Sequence, residues 1–339
     1  ALPVKDPTLP ELADNPAPGQ HPYEDRDELH DIYRSWRRVA DSYADPRVLI
    51  GEIWLPDTQR FARYLRPDEL HTAFNFDFLA CPWDARRLRE SIDTTLAAHA
   101  PVNAPATWVL SNHDVTRPVT RYGRDDTSFS FAAKHVGPMP SDLALGTRRA
   151  RAAALLAMAL PGSLYIYQGE ELGLPEVEDI PDGQRQDPMH FRSGGSDPGR
   201  DGCRIPMPWT AKPPTYGFSP LGTLKPWLPQ PSTWAQYSVA AEEADPRSML
   251  SLYRAALRLR PQAQGPLRWL DDDPDVLAFR RGDAFSCVIN LGTEPVAIPD
   301  GTEVLLASDE LAERALPADT AVWLRSEPPP TRTEVETAS

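Results

Sequence analysis

Three short stretches hold residues fit for acid–base chemistry on a neutral substrate. Gly51-Glu52-Ile53-Trp54 places a carboxylate just after the apolar run Val48-Leu49-Ile50 and beside an indole. Such surroundings disfavour the ionised carboxylate, raise its pKa and suit it to a general acid. Asn112-His113-Asp114 offers a second carboxylate, flanked by His113 and Arg117, whose positive charge would keep it ionised. Gln168-Gly169-Glu170-Glu171 is a third polar stretch following an apolar run. Two carboxylates in contrasting environments are what glycoside hydrolysis requires. Each stretch also has an ordinary structural reading. Glu52 fits a solvated strand end, Asp114 a helix cap, and Glu170-Glu171 the first turn of a helix.

Other chemistries find less support. His71, His99 and His135 read as surface or loop histidines. No His, Asp or Glu cluster has metal-ligand spacing, and neither a phosphate-cradling glycine loop nor a Gly-x-Ser-x-Gly elbow occurs. Cys81, Cys203 and Cys287 lie far apart. Their spacing argues against a zinc site or disulfide framework and points to a reducing, cytoplasmic setting.

The elements that must position these residues alternate. Leu29, Ile32, Tyr33, Trp36 and Val39 mark one face of a helix over residues 25–43. Residues 47–54 read as a parallel strand covered on both sides, 61–65 as a short helix, and the alternating 74–79 as another strand. A helix over 86–99, a strand over 107–111, an Ala-rich helix over 147–160 and an apolar run over 162–167 follow. Residues 174–244 are irregular and rich in Pro, Gly and Trp, as in a long loop that builds a binding site. A helix over 245–259 closes the series. Strand–helix pairs in sequence imply α/β architecture with a parallel sheet, whose chemistry sits at the C-terminal strand ends. From about residue 265 the pattern changes to short strands at 267–270, 276–280, 285–290, 304–307 and 321–324. These predict a small antiparallel domain.

Composition narrows the partners. Among 339 residues, 35 Lys and Arg against 49 Asp and Glu leave a net charge of −14. That balance argues against nucleic acid or an anionic membrane as partner. No apolar run is long enough to span a bilayer, and no signal peptide is evident. With 38 Pro against 19 Gly, loops are long without being low-complexity.

Taken in order, these blocks resemble glycoside hydrolase family 13, the α-amylase family. Residues 48–54 and Ser111-Asn112-His113-Asp114 look like its third and fourth sequence blocks. Gly162-Ser163-Leu164-Tyr165-Ile166-Tyr167-Gln168-Gly169-Glu170-Glu171 looks like its eighth-strand block. Phe74-Asn75-Phe76-Asp77-Phe78 and Arg200-Asp201-Gly202-Cys203-Arg204-Ile205-Pro206-Met207-Pro208-Trp209 are similar to its α-glucosidase and oligo-1,6-glucosidase branch. The resemblance implies the second half of a (β/α)8 barrel, about four strand–helix units over 1–262. A β-sandwich-like domain over 263–325 and a disordered tail over 326–339 would follow.

It also implies a retaining α-glycosidase acting on maltose, isomaltose or short malto-oligosaccharides, without cofactor or metal. Glu52 falls on the family's acid/base and Asp114 on its transition-state-stabilising carboxylate. His113, Arg117 and Arg204 fall on substrate-binding positions, and Arg121-Tyr122-Gly123 on the leaving-group side. The family's nucleophile, an Asp in a Gly-Phe-Arg-x-Asp block, has no counterpart here. Asp6 and Asp14 follow its expected position and are not assigned the role. The expectation is therefore a truncated chain with little turnover of its own, prone to self-association through uncovered barrel edges. Its rivals are a sucrose isomerase or transglucosidase of the same family, a catalytically dead carbohydrate-binding remnant, and an unrelated α/β binding protein.

Overall fold

The computed structural model describes residues 24–129, 139–220, 225–270 and 273–326, and two kinds of sheet divide them. The first part opens with α1 (Leu29–Asp41), β1 (Ile50–Gly51), α2 (Thr58–Arg63) and β2 (Thr72–Ala73). It continues with α3 (Phe76–Ala80), α4 (Ala85–His99), β3 (Thr107–Val109), α5 (Pro118–Tyr122), α6 (Leu143–Ala159) and β4 (Ser163–Tyr165). The short α7 (Pro188–Arg192) and α8 (Val239–Glu243) precede α9 (Met249–Leu259). Aspartates set the helix starts: Asp57, Asp84 and Asp142 accept first-turn amide protons of α2, α4 and α6.

β1 pairs parallel with β2, Ile50 opposite Thr72, and β3 parallel with β4, Thr107 opposite Ser163. Threonine hydroxyls tie the pairs together. Thr72 Oγ1 donates to the Pro105 carbonyl at 3.1 Å and Thr107 Oγ1 to the Ala73 carbonyl at 2.7 Å. Both partners advance in the same direction, the order expected of parallel neighbours.

The second part runs β5 (Leu267–Trp269), β6 (Val276–Arg281), β7 (Phe285–Asn290), β8 (Val296–Ala297), β9 (Thr302–Ala307), β10 (Ala315–Leu316) and β11 (Thr320–Ser326). Five of these form a sheet in the order β5-β6-β7-β11-β9, and β8 pairs with β10. Its inner face, Leu277, Phe279, Cys287, Ile289 and Trp323, shares one core with the Ala-rich α6 and with α4 and α9. Trp323 Nε1 donates to the Leu155 carbonyl at 3.1 Å, satisfying the indole where it is buried. Small residues let α6 approach closely. A Cβ on Gly146 would lie 1.9 Å from the Val119 carbonyl oxygen of α5.

Several expectations change. Residues 74–79 do not form a strand. Asn75 caps α3, its side chain accepting the Phe78 N–H at 3.0 Å and donating to Thr95 Oγ1 at 2.9 Å. A strand-like alternation thus gives way to a capped turn of helix. The strand expected over 47–54 contracts to β1, and it is not covered on both sides: Val48 and Ile50 are 60% and 46% exposed. His99 is buried on α4 rather than at the surface, and His71 Nδ1 accepts the Leu49 N–H at 3.0 Å. His135 lies outside the described residues, as do 1–23 and 327–339, while Ser326 ends β11 rather than starting a tail. The stretch 174–244 is not simply loop. Leu172, Leu174, Ile205, Met207, Leu228 and Trp234 belong to a small core of its own.

Candidate active site

The C-terminal ends of all four parallel strands meet at one apolar cluster. Trp54 beyond β1, Phe74 and Phe76 beyond β2, Val109 and Val115 at β3, and Tyr165 of β4 contribute to it. Trp54 stacks on Phe76 with ring planes 13° apart, and Phe74 meets Tyr165 edge-on at 4.7 Å. Glu52 and Asp114 therefore leave strands that end at the same cluster.

Asp114 is held on several sides. Asn112 Oδ1 accepts its N–H at 2.7 Å, forming a tight turn just after β3. Its Oδ1 accepts Arg200 Nη1 at 2.7 Å and Arg204 Nη2 at 2.9 Å, with His113 Nε2 3.5 Å away. Arg204 Nε also donates to the His113 carbonyl at 2.8 Å. Among the described residues no donor reaches Asp114 Oδ2. Asp114 is thus not the cap of α5, whose N-cap residue is Arg117.

Arg200 is shared between two carboxylates. Its Nε and Nη2 grip Asp187 at 2.7 and 3.0 Å while Nη1 reaches Asp114. Asp187 is 1% exposed, which alone would push its carboxyl up. The Arg200 guanidinium and the backbone N–H groups of Met189 and Arg200 outweigh burial and hold it well below the usual carboxylate range. Asp187 in turn presses the Arg200 pKa upward. Asp201 fixes the loop from behind, accepting the N–H of Gln186 and Asp187 at 2.6 and 3.0 Å.

Below this layer lies Glu170, fully enclosed. It accepts Ser111 Oγ at 2.5 Å and Tyr253 Oη at 2.9 Å, joining the end of β3 to α9. Burial pushes its carboxyl up to about 7, against the lowering effect of the two hydroxyls. It does not begin a helix, contrary to the local reading of Glu170-Glu171.

The expected site residues divide. Asp114, His113 and Arg204 come together. Glu52 is exposed rather than enclosed by apolar surface, because Trp54 turns to Phe76 and the run before Glu52 is itself uncovered. Arg117 is 1% exposed. Its guanidinium donates to the Gln168 and Cys203 carbonyls at 2.9 and 2.8 Å, making it a support beneath the site. Gly169, with φ +85°, permits this passage, since a Cβ there would lie 2.8 Å from Arg117 Nη1. Arg121 is likewise buried, spent on the carbonyls of Cys81, Leu110 and Thr127. Asp187 escapes the sequence reading, and Arg200 and Glu170 enter it only as members of their blocks, without the partners found here. The spacing of Arg200 and Arg204 across one helical turn was the available signal for the clamp.

A model described as the catalytic domain of α-amylase matches residues 3–267, and a domain of unknown function, DUF3459, matches 263–323. The chain belongs to the α-amylase family, glycoside hydrolase family 13. This α-amylase-family chain is 31% identical to the "Probable alpha-glucosidase" of Rhizobium meliloti, over 84% of its own length and 52% of that protein. It is 27% identical to Maltase A1 of Drosophila melanogaster, over 81% of its length and 46% of the relative. The solved α-glucosyl transfer enzyme XgtA matches with a TM-score of 0.70 at 29% identity, covering 89% of this chain and 55% of that one. The family member thus spans about half the length of these relatives. Among its described residues no helix is long and apolar enough to cross a membrane, and no three His, Cys, Asp or Glu side chains converge as a metal site.

Proposed function

We propose that this chain supplies the acid/base and the sugar-gripping carboxylate of a retaining α-glucosidase. In this reading it is the second half of a (β/α)8 barrel over 1–262, followed by a β domain over 263–325. The observation that carries the proposal is the Asp114 clamp. With both guanidinium bonds on Oδ1, Oδ2 is left to accept sugar hydroxyls and to face developing oxocarbenium character. His113 and Arg204 add hydroxyl contacts at the rim. Glu52 is the proton donor. Maltose, isomaltose and short malto-oligosaccharides are the substrates, in keeping with relatives named α-glucosidase and maltase. The reaction needs no cofactor.

A retaining mechanism also needs a nucleophilic carboxylate about 5 Å from the acid. No residue of this chain is assigned that role, so residues 1–339 alone are expected to hydrolyse p-nitrophenyl α-glucoside no faster than buffer does. The likeness to XgtA favours a second reading in which another sugar, instead of water, takes up the glucosyl unit.

The test uses an enzyme whose barrel is completed around this chain. Glu52→Gln should cut kcat/KM on maltose by about 100- to 10,000-fold, with far less effect on p-nitrophenyl α-glucoside, whose leaving group needs little protonation. Asp114→Asn should depress both substrates alike. Equal losses from Glu52→Gln on the two substrates would overturn the acid assignment.

A further inference from the structure

The Asp114 clamp is itself held in place by a buried carboxylate. An arginine carries five N–H donors in a rigid planar fork, and such forks close on both oxygens of a carboxylate. Beside Asp114 alone, the Arg200 fork would do the same. Instead only Nη1 donates to Asp114 Oδ1, at 2.7 Å, and among the described residues no donor reaches Oδ2. The paired edge of the fork is turned the other way. Its Nε donates to Asp187 Oδ2 at 2.7 Å and its Nη2 to Asp187 Oδ1 at 3.0 Å. Arg204 is restrained by other means: its Nε is spent on the His113 carbonyl, so that Nη2 alone reaches Asp114 Oδ1.

Asp187 is fixed too firmly to follow the fork. It is almost wholly buried, its Oδ1 also accepts the Met189 N–H at 3.1 Å, and its Oδ2 accepts the Arg200 N–H at 2.8 Å. From behind, Asp201 Oδ2 accepts the N–H groups of Gln186 and Asp187. Gly199, with φ +73°, is part of the same fit, since a Cβ there would lie 2.8 Å from Asp187 Cβ. Two aspartates thus compete for one guanidinium, and the built loop gives its bidentate edge to Asp187.

We propose that Asp187 is a positioning residue that holds the Arg200 fork off Asp114 Oδ2 and so keeps that oxygen open to a ligand hydroxyl. This rests on the reading of Asp114 as the sugar-gripping carboxylate. Without Asp187, the fork swings onto both Asp114 oxygens, and a salt bridge takes the place of the sugar contact. A residue that served stability alone would leave a looser clamp when lost. Loss of Asp187 instead leaves a clamp closed over the oxygen the sugar needs, and removal of Arg200 reopens it.

The experiment compares residues 1–339 with three variants: Asp187→Ala, Asp187→Asn, and Asp187→Ala combined with Arg200→Met. Circular dichroism checks folding. Asn keeps the shape of Asp187 but offers one acceptor oxygen in place of two, so it releases the fork even where the Ala chain fails to fold. Crystal structures of the single variants should show Arg200 donating to both Asp114 oxygens. Methyl α-glucoside, titrated by NMR, should bind at least about tenfold more weakly to each single variant, the worth of one hydrogen bond to a charged group. The double variant should bind at least about fivefold more tightly than Asp187→Ala, because the two losses are coupled through one guanidinium. An Arg200 that keeps its single bond to Oδ1 or leaves Asp114 in the single variants would overturn the proposal, as would a double variant binding no more tightly than Asp187→Ala. A fork closed on both oxygens, in a chain whose unsubstituted form binds no glucoside, would uphold the role of Asp187 and refute the sugar-gripping reading, so the two failures are distinguishable.

Discussion

The region around β3 and β4 and the region around β1 contain the same kinds of elements, yet only the first has a built site. β3 lies under α6 and the five-stranded sheet, and Trp108 within it is completely buried. Where the strand ends, Ser111 is locked by Glu170, Asn112 closes a turn, and Asp114 is clamped by two arginines. Around β1, Val48 and Ile50 are exposed, and so is Glu52. The difference teaches that a strand end positions a functional side chain only when layers on both sides fix the strand. It also separates the two proposed roles. The carboxylate proposed to grip the sugar has two arginine partners within this chain, whereas the proposed proton donor is exposed.

The comparison can be broken most forcefully at Asp187. Replacing it with Ala removes its two bonds to the Arg200 guanidinium and a third to the Arg200 backbone N–H, and leaves a guanidinium in a site where the lost carboxylate was 1% exposed. Unfolding in urea should show a loss of about 3 kcal/mol, the low end for breaking a buried pair, because Arg200 retains some access to water. A loss below about 1 kcal/mol would mean that the clamp is no more rigid than the open β1 end.

A smaller effect should appear with pH. Burial pushes Glu170, Glu176 and Glu242 each up to about 7. Between roughly pH 4.5 and 7 these groups hold protons in the folded state that the unfolded chain has released, so stability falls as pH rises through that window. The loss is complete above it. Glu170→Gln should remove one share of this decline, on the order of 1–3 kcal/mol across the window. Denaturation midpoints at pH 5 and pH 8 measure it, and an unaltered slope would show that Glu170 does not titrate there.

The smallest effect is expected on the open side. Val39→Ala in α1 should change the stability of the isolated chain by less than about 0.5 kcal/mol, since the side chain is 60% exposed. A thermal melt showing a loss above about 1 kcal/mol would mean that this side of α1 is already covered, and the contrast between the two regions would collapse.

Much of this organisation is determined by the sequence itself. Local periodicity specifies α1, α4, α6 and α9 and the main strands of the antiparallel sheet, because each presents a repeat of the right period between breakers. The ordered blocks around Glu52, Asp114 and Arg204 identify the family without any coordinates. Tertiary structure decided what no local pattern encodes. It turned residues 76–80 into a helix, since Asn75 could cap a turn and still reach Thr95 on α4. It drew Arg117 inward, where the carbonyls of Gln168 and Cys203 converge. It gave Asp187 and Arg200 to the Asp114 clamp and buried Glu170 between Ser111 and Tyr253, across separations far beyond any local repeat. It also left Glu52 in water. Ionisation, burial and hydrogen bonding depend on which distant segments cover a residue, and covering is a property of the assembled layers rather than of the neighbours along the chain.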